Sequence, residues 1–553
     1  MRGNKKIMNH FIMKAREYKR EIICIILGLV WLFLFGKVQL ANMVNWFNSD
    51  WAADLIFARQ CAVEGRGISH NLCYTTEFKF LDLQLIKALF FHVLDSWVKI
   101  NAWGNTVAFF ILYLSSIFLL KKLELNGSGI LFFCAIAFIV PFSASYFEIA
   151  LVAGFYTIKI IVEILFLGLF YAFLKTKKRN WRIGLAVCAA VLSIFSGIGG
   201  IRLTLLLYIP LVAACIVNWI MEVKDNEIGA NKWREAINGK AFRPMVWSLF
   251  YLLFDGIGYV LNVKYFARVY QFQGSDKVFW GDIYGVNLFD RLGDRFAGIA
   301  NTLGYYGNIN VFSLEGIKNL LALAVMVVSV YCHVHIIKNW KKYPAVQINM
   351  TLFSAIAIVA NGFIFTITDY SSSRYWVPVL VFSIPVIGIY LNGAVEKLID
   401  NIFCIVITII CVGFLALGCF QTTKSVLHSK GNEHRQASIE FLEDNGYTFG
   451  YSTYWNANVV TAISNGKVEV ASIYSPETMD YYLWGTTKDY YKEGYHDGKC
   501  FLLLTLEERE AYKEGSVLSN GQEIYRDDYF VIYSYDSVDT LLGLAGRPYL
   551  VDG

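Results

Sequence analysis

Long apolar runs, each closed by a few charges, set the pattern of this chain. Runs of roughly 17–20 apolar residues recur, and a run of that length crosses a bilayer as a helix. They predict spans at 22–41, 104–120, 129–142, 155–174, 183–198, 204–220, 244–263, 316–337, 346–367, 375–391 and 401–420. The spans are helices because hydrocarbon offers backbone amides no partner, and no alternating barrel pattern occurs. The loops alternate in charge. MRGNKKIMNHFIMKAREYKR, KKLE, KTKKRNWR, the 221–243 segment, KNWKKY and NGAVEKL together hold 23 Lys/Arg. The opposite loops are longer and poorer in basic residues. The positive-inside rule therefore predicts a cytoplasmic N-terminus and, after eleven spans, a C-terminus outside. The first apolar run is long and no small-residue cleavage site follows it, so it reads as an anchor.

Two outer loops are large. The first, about 42–103, carries EFKFLDLQLIKALFFHVLDSWVK, an amphipathic stretch that predicts a helix lying along the interface. The other, about 264–315, contains YQFQGSDKVFWGDIYGVNLFDRLGD, whose Gly, Tyr, Asn and Asp suit a lid or binding loop. From about 430 the period changes. A helix-like EHRQASIEFLEDNG precedes short alternating runs, VVTAIS, KVEVASIY, CFLLLTL and EIYRDDYFVIYSY. These predict a small mixed α/β domain whose sheet is wet on one side. The organisation expected is an α-helical polytopic membrane domain over 1–420 and an extracytoplasmic domain over 421–553.

Composition agrees. Of 553 residues 56% are hydrophobic and 17% charged, against about 25% charged in soluble domains. After residue 420 there are 11 Lys/Arg against 20 Asp/Glu, a net of −9, which leaves +14 on residues 1–420. That positive charge sits in short loops between spans, which argues against nucleic acid as a partner. Most of the eleven cysteines (Cys24, Cys134, Cys188, Cys215, Cys404, Cys411 and Cys419 among them) fall inside apolar runs and act as small hydrophobes. No CxxC or Cys/His ligand spacing occurs, so a structural zinc site is not expected. Cys61 and Cys73 share the first outer loop, where a disulfide is an open alternative.

Four outer clusters could carry chemistry. In NWFNSDWAADLIFARQ, Asp50 and Asp54 stand four apart, on one helix face, just past the first span. One reading makes Asp50 a catalytic base; the other makes Asn48 or Ser49 a helix cap with Asp50 on its dipole and Asp54 solvated. In SASYFEIALVAGFYTIK, Glu148 stands near Tyr146, Tyr156 and Lys159, either facing a cavity or sitting in a surface loop. In SGIGGIRLT, glycines let backbone approach a ligand beside Arg202. In TDYSSSRYWVP, Asp369 and Arg374 flank two span ends. Arginine suits bidentate phosphate binding, and the alternative for both arginines is snorkelling at the interface.

This arrangement resembles the GT-C superfamily of integral membrane glycosyltransferases, which includes protein O-mannosyltransferases and lipid A aminoarabinose transferases. The carriers are the N-in topology, the acid soon after the first span, the interfacial helix of the first loop and the outer arginines. NSDWAADLIFARQCAVEGRG resembles the first-loop acid motif of that group. The resemblance implies a polyprenyl-phosphate sugar donor, an extracytoplasmic acceptor and transfer of a hexose or pentose with inversion. It places the general base at Asp50, with Asp54 and Glu148 as further catalytic candidates. Arg202 and Arg374 would bind the donor phosphate, with Tyr146, Lys159 and Asp369 on the substrate. The chain lacks the adjacent Asp-Glu pair common in O-mannosyltransferases, so acceptor class and use of a divalent metal stay open.

Two rivals remain. A transporter or flippase of a lipid-linked saccharide needs ionisable residues deep in the spans, and the spans read as mostly clean. A membrane scaffold would use the outer domain to bind a surface polymer. Tyr451, Tyr454, Trp455, Tyr481, Tyr482 and Trp484 suit carbohydrate stacking or, alternatively, a sheet core.

Overall fold

The computed structural model describes residues 22–23, 25–75, 77–125, 128–152, 156–225, 235, 237, 239–273, 288–368, 372–393 and 402–550. Most of the expected lid sequence and Asp369 lie outside these residues. The molecule is a multi-pass membrane protein. Among the described residues nine helices are long and apolar enough to cross a bilayer. They are Ile25–Trp46, Trp97–Lys122, Thr157–Lys175, Arg179–Ile198, Thr204–Asp225, Phe242–Val269, Leu314–Lys338, Ala345–Ile367 and Ile402–Leu427.

The other two expected spans are shorter, and proline explains both. The helix Ser128–Ala137 stops ahead of Pro141, since the residue before a proline is driven out of the helical region. The apolar stretch Val377–Gly393 is two pieces, Val377–Leu380 and Ser383–Gly393. Pro385 lacks an N–H and its ring clashes with the carbonyl four residues back, at Val381, where the break falls.

The chain divides into two compact units, one from 1–35, 108–261 and 277–423, the other from 36–107, 262–276 and 424–553. In the first, Arg179–Ile198 and Phe242–Leu261 meet backbone to backbone. A Cβ on Gly197 would stand 1.9 Å from the Asp255 carbonyl oxygen, and one on Gly258 2.0 Å from that of Ile194. Small residues permit this approach where lipid supplies no hydrophobic drive for helices to associate. The same unit holds a partly open apolar cavity of about 250 Å³, lined among others by Phe142, Tyr146, Phe296, Leu380, Val381 and Phe414.

Among its described residues the second unit holds eight strands: β1 (Leu72–Tyr74), β2 (Gln271–Phe272), β3 (Phe449–Thr453), β4 (Glu469–Ile473), β5 (Thr486–Thr487), β6 (Cys500–Thr505), β7 (Gln522–Arg526) and β8 (Phe530–Tyr535). The main sheet runs β4-β3-β6-β8-β7, parallel through β4, β3 and β6 and antiparallel from β6 onward. Side chains alternate faces, and both faces are buried. Tyr451, Leu502, Leu504 and Val531 point to one core; Val470, Phe501, Leu503 and Ile532 point to the other. Helices Glu433–Asp444 and Tyr454–Ile463 contribute Ile439, Leu442, Ala457 and Val460 to the second core, so the sheet is not wet on one side as its alternation predicted.

The long loop after the first span belongs to this unit. A small sheet, β2-β1-β5, ties the loop to the C-terminal segment. Asn432 donates its amide to the Val44 and Phe47 carbonyls at 2.7 and 2.9 Å, and Arg59 pairs with Glu469 at 3.0 Å. The helix expected at the interface is short, Gln84–Phe91, and its polar side turns inward: Gln84 and Lys87 are buried while Leu89 is exposed. Cys61 and Cys73 are free, buried thiols, each pushed up to about 11 by burial.

Candidate active site

Asp50 enters through a capped helix start. Asn48, in extended conformation, accepts a hydrogen bond from the Trp51 amide at 3.1 Å and opens the helix Ser49–Glu64. Trp51 is buried, which fixes the first turn, and the Ser49 hydroxyl donates to the Tyr454 carbonyl. The Tyr454 hydroxyl in turn donates to Asp50 Oδ1 at 2.5 Å. Burial, and then the Asp50 charge, hold that phenol well above its usual range, so it stays a donor. Asp50 itself is half-buried.

Asp54, one turn on, is not solvated. It is buried and paired with Lys79, which also lies 4.7 Å from the Phe57 ring. Burial works against the Lys79 charge, but Asp54, with Asp82, outweighs it and raises the amine above its ordinary value. Lys87 is equally buried without so close an acid, and burial pushes it down to about 8.

In the membrane unit the hairpin at Gly200, whose φ of 122° suits glycine, leads into Arg202. Arg202 donates to the Tyr156 hydroxyl and stands 5.3 Å from that ring and 4.9 Å from the Tyr375 ring. Arg374 lies 5.3 Å from the same Tyr375 ring, and Lys159 5.1 Å from Tyr156. The two tyrosines meet edge to face at 6.1 Å. Three cations thus converge on one tyrosine pair, each with a ring face for its charge. Tyr156, read from sequence only as a neighbour of Glu148, and Tyr375 are what joins them.

The remaining candidates lie elsewhere in that unit. Tyr146 is buried, donates its hydroxyl to the Phe138 carbonyl at 2.7 Å, stacks on Phe142 and walls the apolar cavity. Glu148 sits half-buried in a π-helical turn, Phe147–Val152. The Tyr306 phenol is raised, by burial first and also by the Glu148 carboxylate. Two acids went unnoticed in apolar runs: Glu163 and Asp255 are buried inside spans, and Thr204 donates to Asp255 at 2.5 Å. A single acid in IIVEILF or in LLFDGIG was the available signal. Among the described residues no group of three or more His, Cys, Asp or Glu is placed to hold a metal, and Asp54, the acid nearest Asp50 in sequence, is already held by Lys79.

No protein-family model matches the sequence, and no curated protein matches it. The fold does have counterparts. It is similar to ArnT from Cupriavidus metallidurans bound to undecaprenyl phosphate, with a TM-score of 0.50 and 12% identity, over 94% of this chain and 99% of that one. The likeness extends over nearly the whole of both chains, so the two share their overall fold. An oligosaccharyltransferase from Archaeoglobus fulgidus, in complex with Zn and sulfate, is similar with a TM-score of 0.49 and 11% identity, over 87% of this chain and 68% of that one. Identities this low carry the architecture and no individual side chain.

Proposed function

We propose that the protein is a membrane glycosyltransferase that moves a sugar from a polyprenyl-phosphate donor to an extracytoplasmic acceptor. The observation that carries this reading is the convergence of Arg202, Arg374 and Lys159 on Tyr156 and Tyr375, in a fold shared with a protein bound to undecaprenyl phosphate. Asp50 takes the proton of the acceptor hydroxyl as its oxygen attacks the anomeric carbon. The bond from that carbon to the donor phosphate oxygen breaks, and polyprenyl phosphate leaves with the electron pair. Arg202 and Arg374 stabilise that charge by charge-assisted hydrogen bonds in a site poor in water. The apolar cavity takes part of the polyprenyl chain, with Tyr146 as wall. Lys79 and Asp54 hold the helix that carries Asp50, and Lys159 adds charge beside the phosphate. Asp369 and Glu148 stand as acceptor-side candidates.

The test of the phosphate site is binding of polyprenyl phosphate by the purified protein in lipid nanodiscs. Arg202→Lys and Arg374→Lys should each weaken it about tenfold, because a point charge does not reproduce a bidentate fork. Wild-type binding in both variants would assign the arginines to interfacial snorkelling. The orientation is tested separately. A reporter active only in the cytoplasm, fused near Gly446, should stay silent, and an active one would invert every site proposed above.

Glu163 and Asp255 favour one other reading, a transporter of the lipid-linked saccharide, since buried acids in spans commonly line a pathway. Movement of a labelled polyprenyl-phosphate sugar across vesicles, without any acceptor, would support it over transfer.

A further inference from the structure

Asp50 is the inner end of a run of aromatic rings. Tyr454, which donates to Asp50, meets Trp455 at 5.2 Å and Tyr482 at 5.0 Å between ring centroids, and Tyr482 meets Tyr474 at 4.4 Å. All these contacts are edge-on. The ends of the run are open: Trp455 is 62% exposed and Tyr474 56%, while Tyr454 between them is buried. Gln273 donates to the Tyr474 hydroxyl at 3.1 Å, giving the outer end a polar rim. Tyr451 and Tyr481, by contrast, are core residues of the sheet.

From this we infer that the acceptor is a saccharide, bound along Trp455, Tyr482 and Tyr474 with a hydroxyl presented to Asp50. The inference rests on the transfer reading of Asp50 and names its acceptor class. One face of a sugar ring carries C–H bonds that meet the electron-rich face of an aromatic ring, and its hydroxyls pair with phenols and amides at the edge. The segment that carries the strip favours sugar over lipid or apolar peptide. Among the described residues 433–550 the exposed large hydrophobic side chains are Trp455, Tyr474, Tyr495 and Tyr529, with no Leu, Ile, Val or Phe. A surface built for acyl chains or apolar peptide side chains carries aliphatic residues; one built for sugars carries Trp and Tyr.

An array of neutral oligosaccharides, probed with the full-length protein in lipid nanodiscs, tests the inference. The wild type should retain a defined class of them. Trp455→Ala together with Tyr474→Ala should lower retention about tenfold or more, as truncating aromatic anchors does, at an unchanged melting temperature. Retention that survives the double substitution overturns the inference, as does a wild type that ignores every oligosaccharide and retains a peptide library instead. Binding is read without turnover, so the two ideas fail separately. Saccharide held through the strip with no transfer from any polyprenyl-phosphate sugar keeps the site and removes the enzyme.

Discussion

Asp50→Asn protein, purified in lipid, loses about 10²–10⁴ of its sugar-transfer rate while melting with the wild type. A carboxamide cannot take the acceptor proton. It does keep the size of the side chain and an oxygen for the Tyr454 hydroxyl, which now sits 2.5 Å from Oδ1. The helix start does not depend on Asp50, because the Trp51 amide is capped by Asn48. The fold therefore has little reason to change. Asp54→Asn belongs beside it as a control: its carboxylate is committed to Lys79, so any loss there should come with a lower melting temperature. Full transfer by a well-folded Asp50→Asn protein would leave Asp50 as a complement to the helix dipole and nothing more.

Lys79→Met destabilises the unit built from the loop after the first span and the C-terminal segment by about 3–5 kcal/mol, the usual effect of stranding one member of a buried ion pair. Both partners are almost fully buried, so water cannot take over from the lost ammonium. Replacing Asp54 by Leu as well should recover much of the loss, since no charge is then left behind. Thermal unfolding of the single and double variants measures it, and equal melting in Lys79→Met and wild type would show that the pair contributes nothing. The pH dependence has a definite sign. Lys79 titrates above its ordinary 10.5 in the folded protein, so the pair's contribution is complete below that value and is lost only as pH rises past it. Lys87, pushed down to about 8 by burial, acts oppositely: the unfolded chain binds its proton more tightly, and stability rises between pH 8 and 10.5.

The membrane architecture was legible because hydrocarbon leaves the backbone one solution, and a run of apolar residues therefore states its own fold. Even the two shortened spans follow from local chemistry, at Pro141 and Pro385. The alternating strands and the Asn48 cap were equally local, since period and capping are properties of neighbouring residues. What lies far apart in sequence was not legible. Nothing in NWFNSDWAADL says that Asp50 meets Tyr454, 404 residues on, or that Asp54 meets Lys79 instead of water. The approach of Arg202 to Tyr375, beside Arg374, depends on how segments 173 residues apart pack, and the two-sided burial of the sheet depends on helices that cover it. Residue type and spacing determine which elements form and which groups carry charge. Which of those groups meet, and which are taken out of water, was decided by packing, because it is set by distances between segments that the order of residues does not contain.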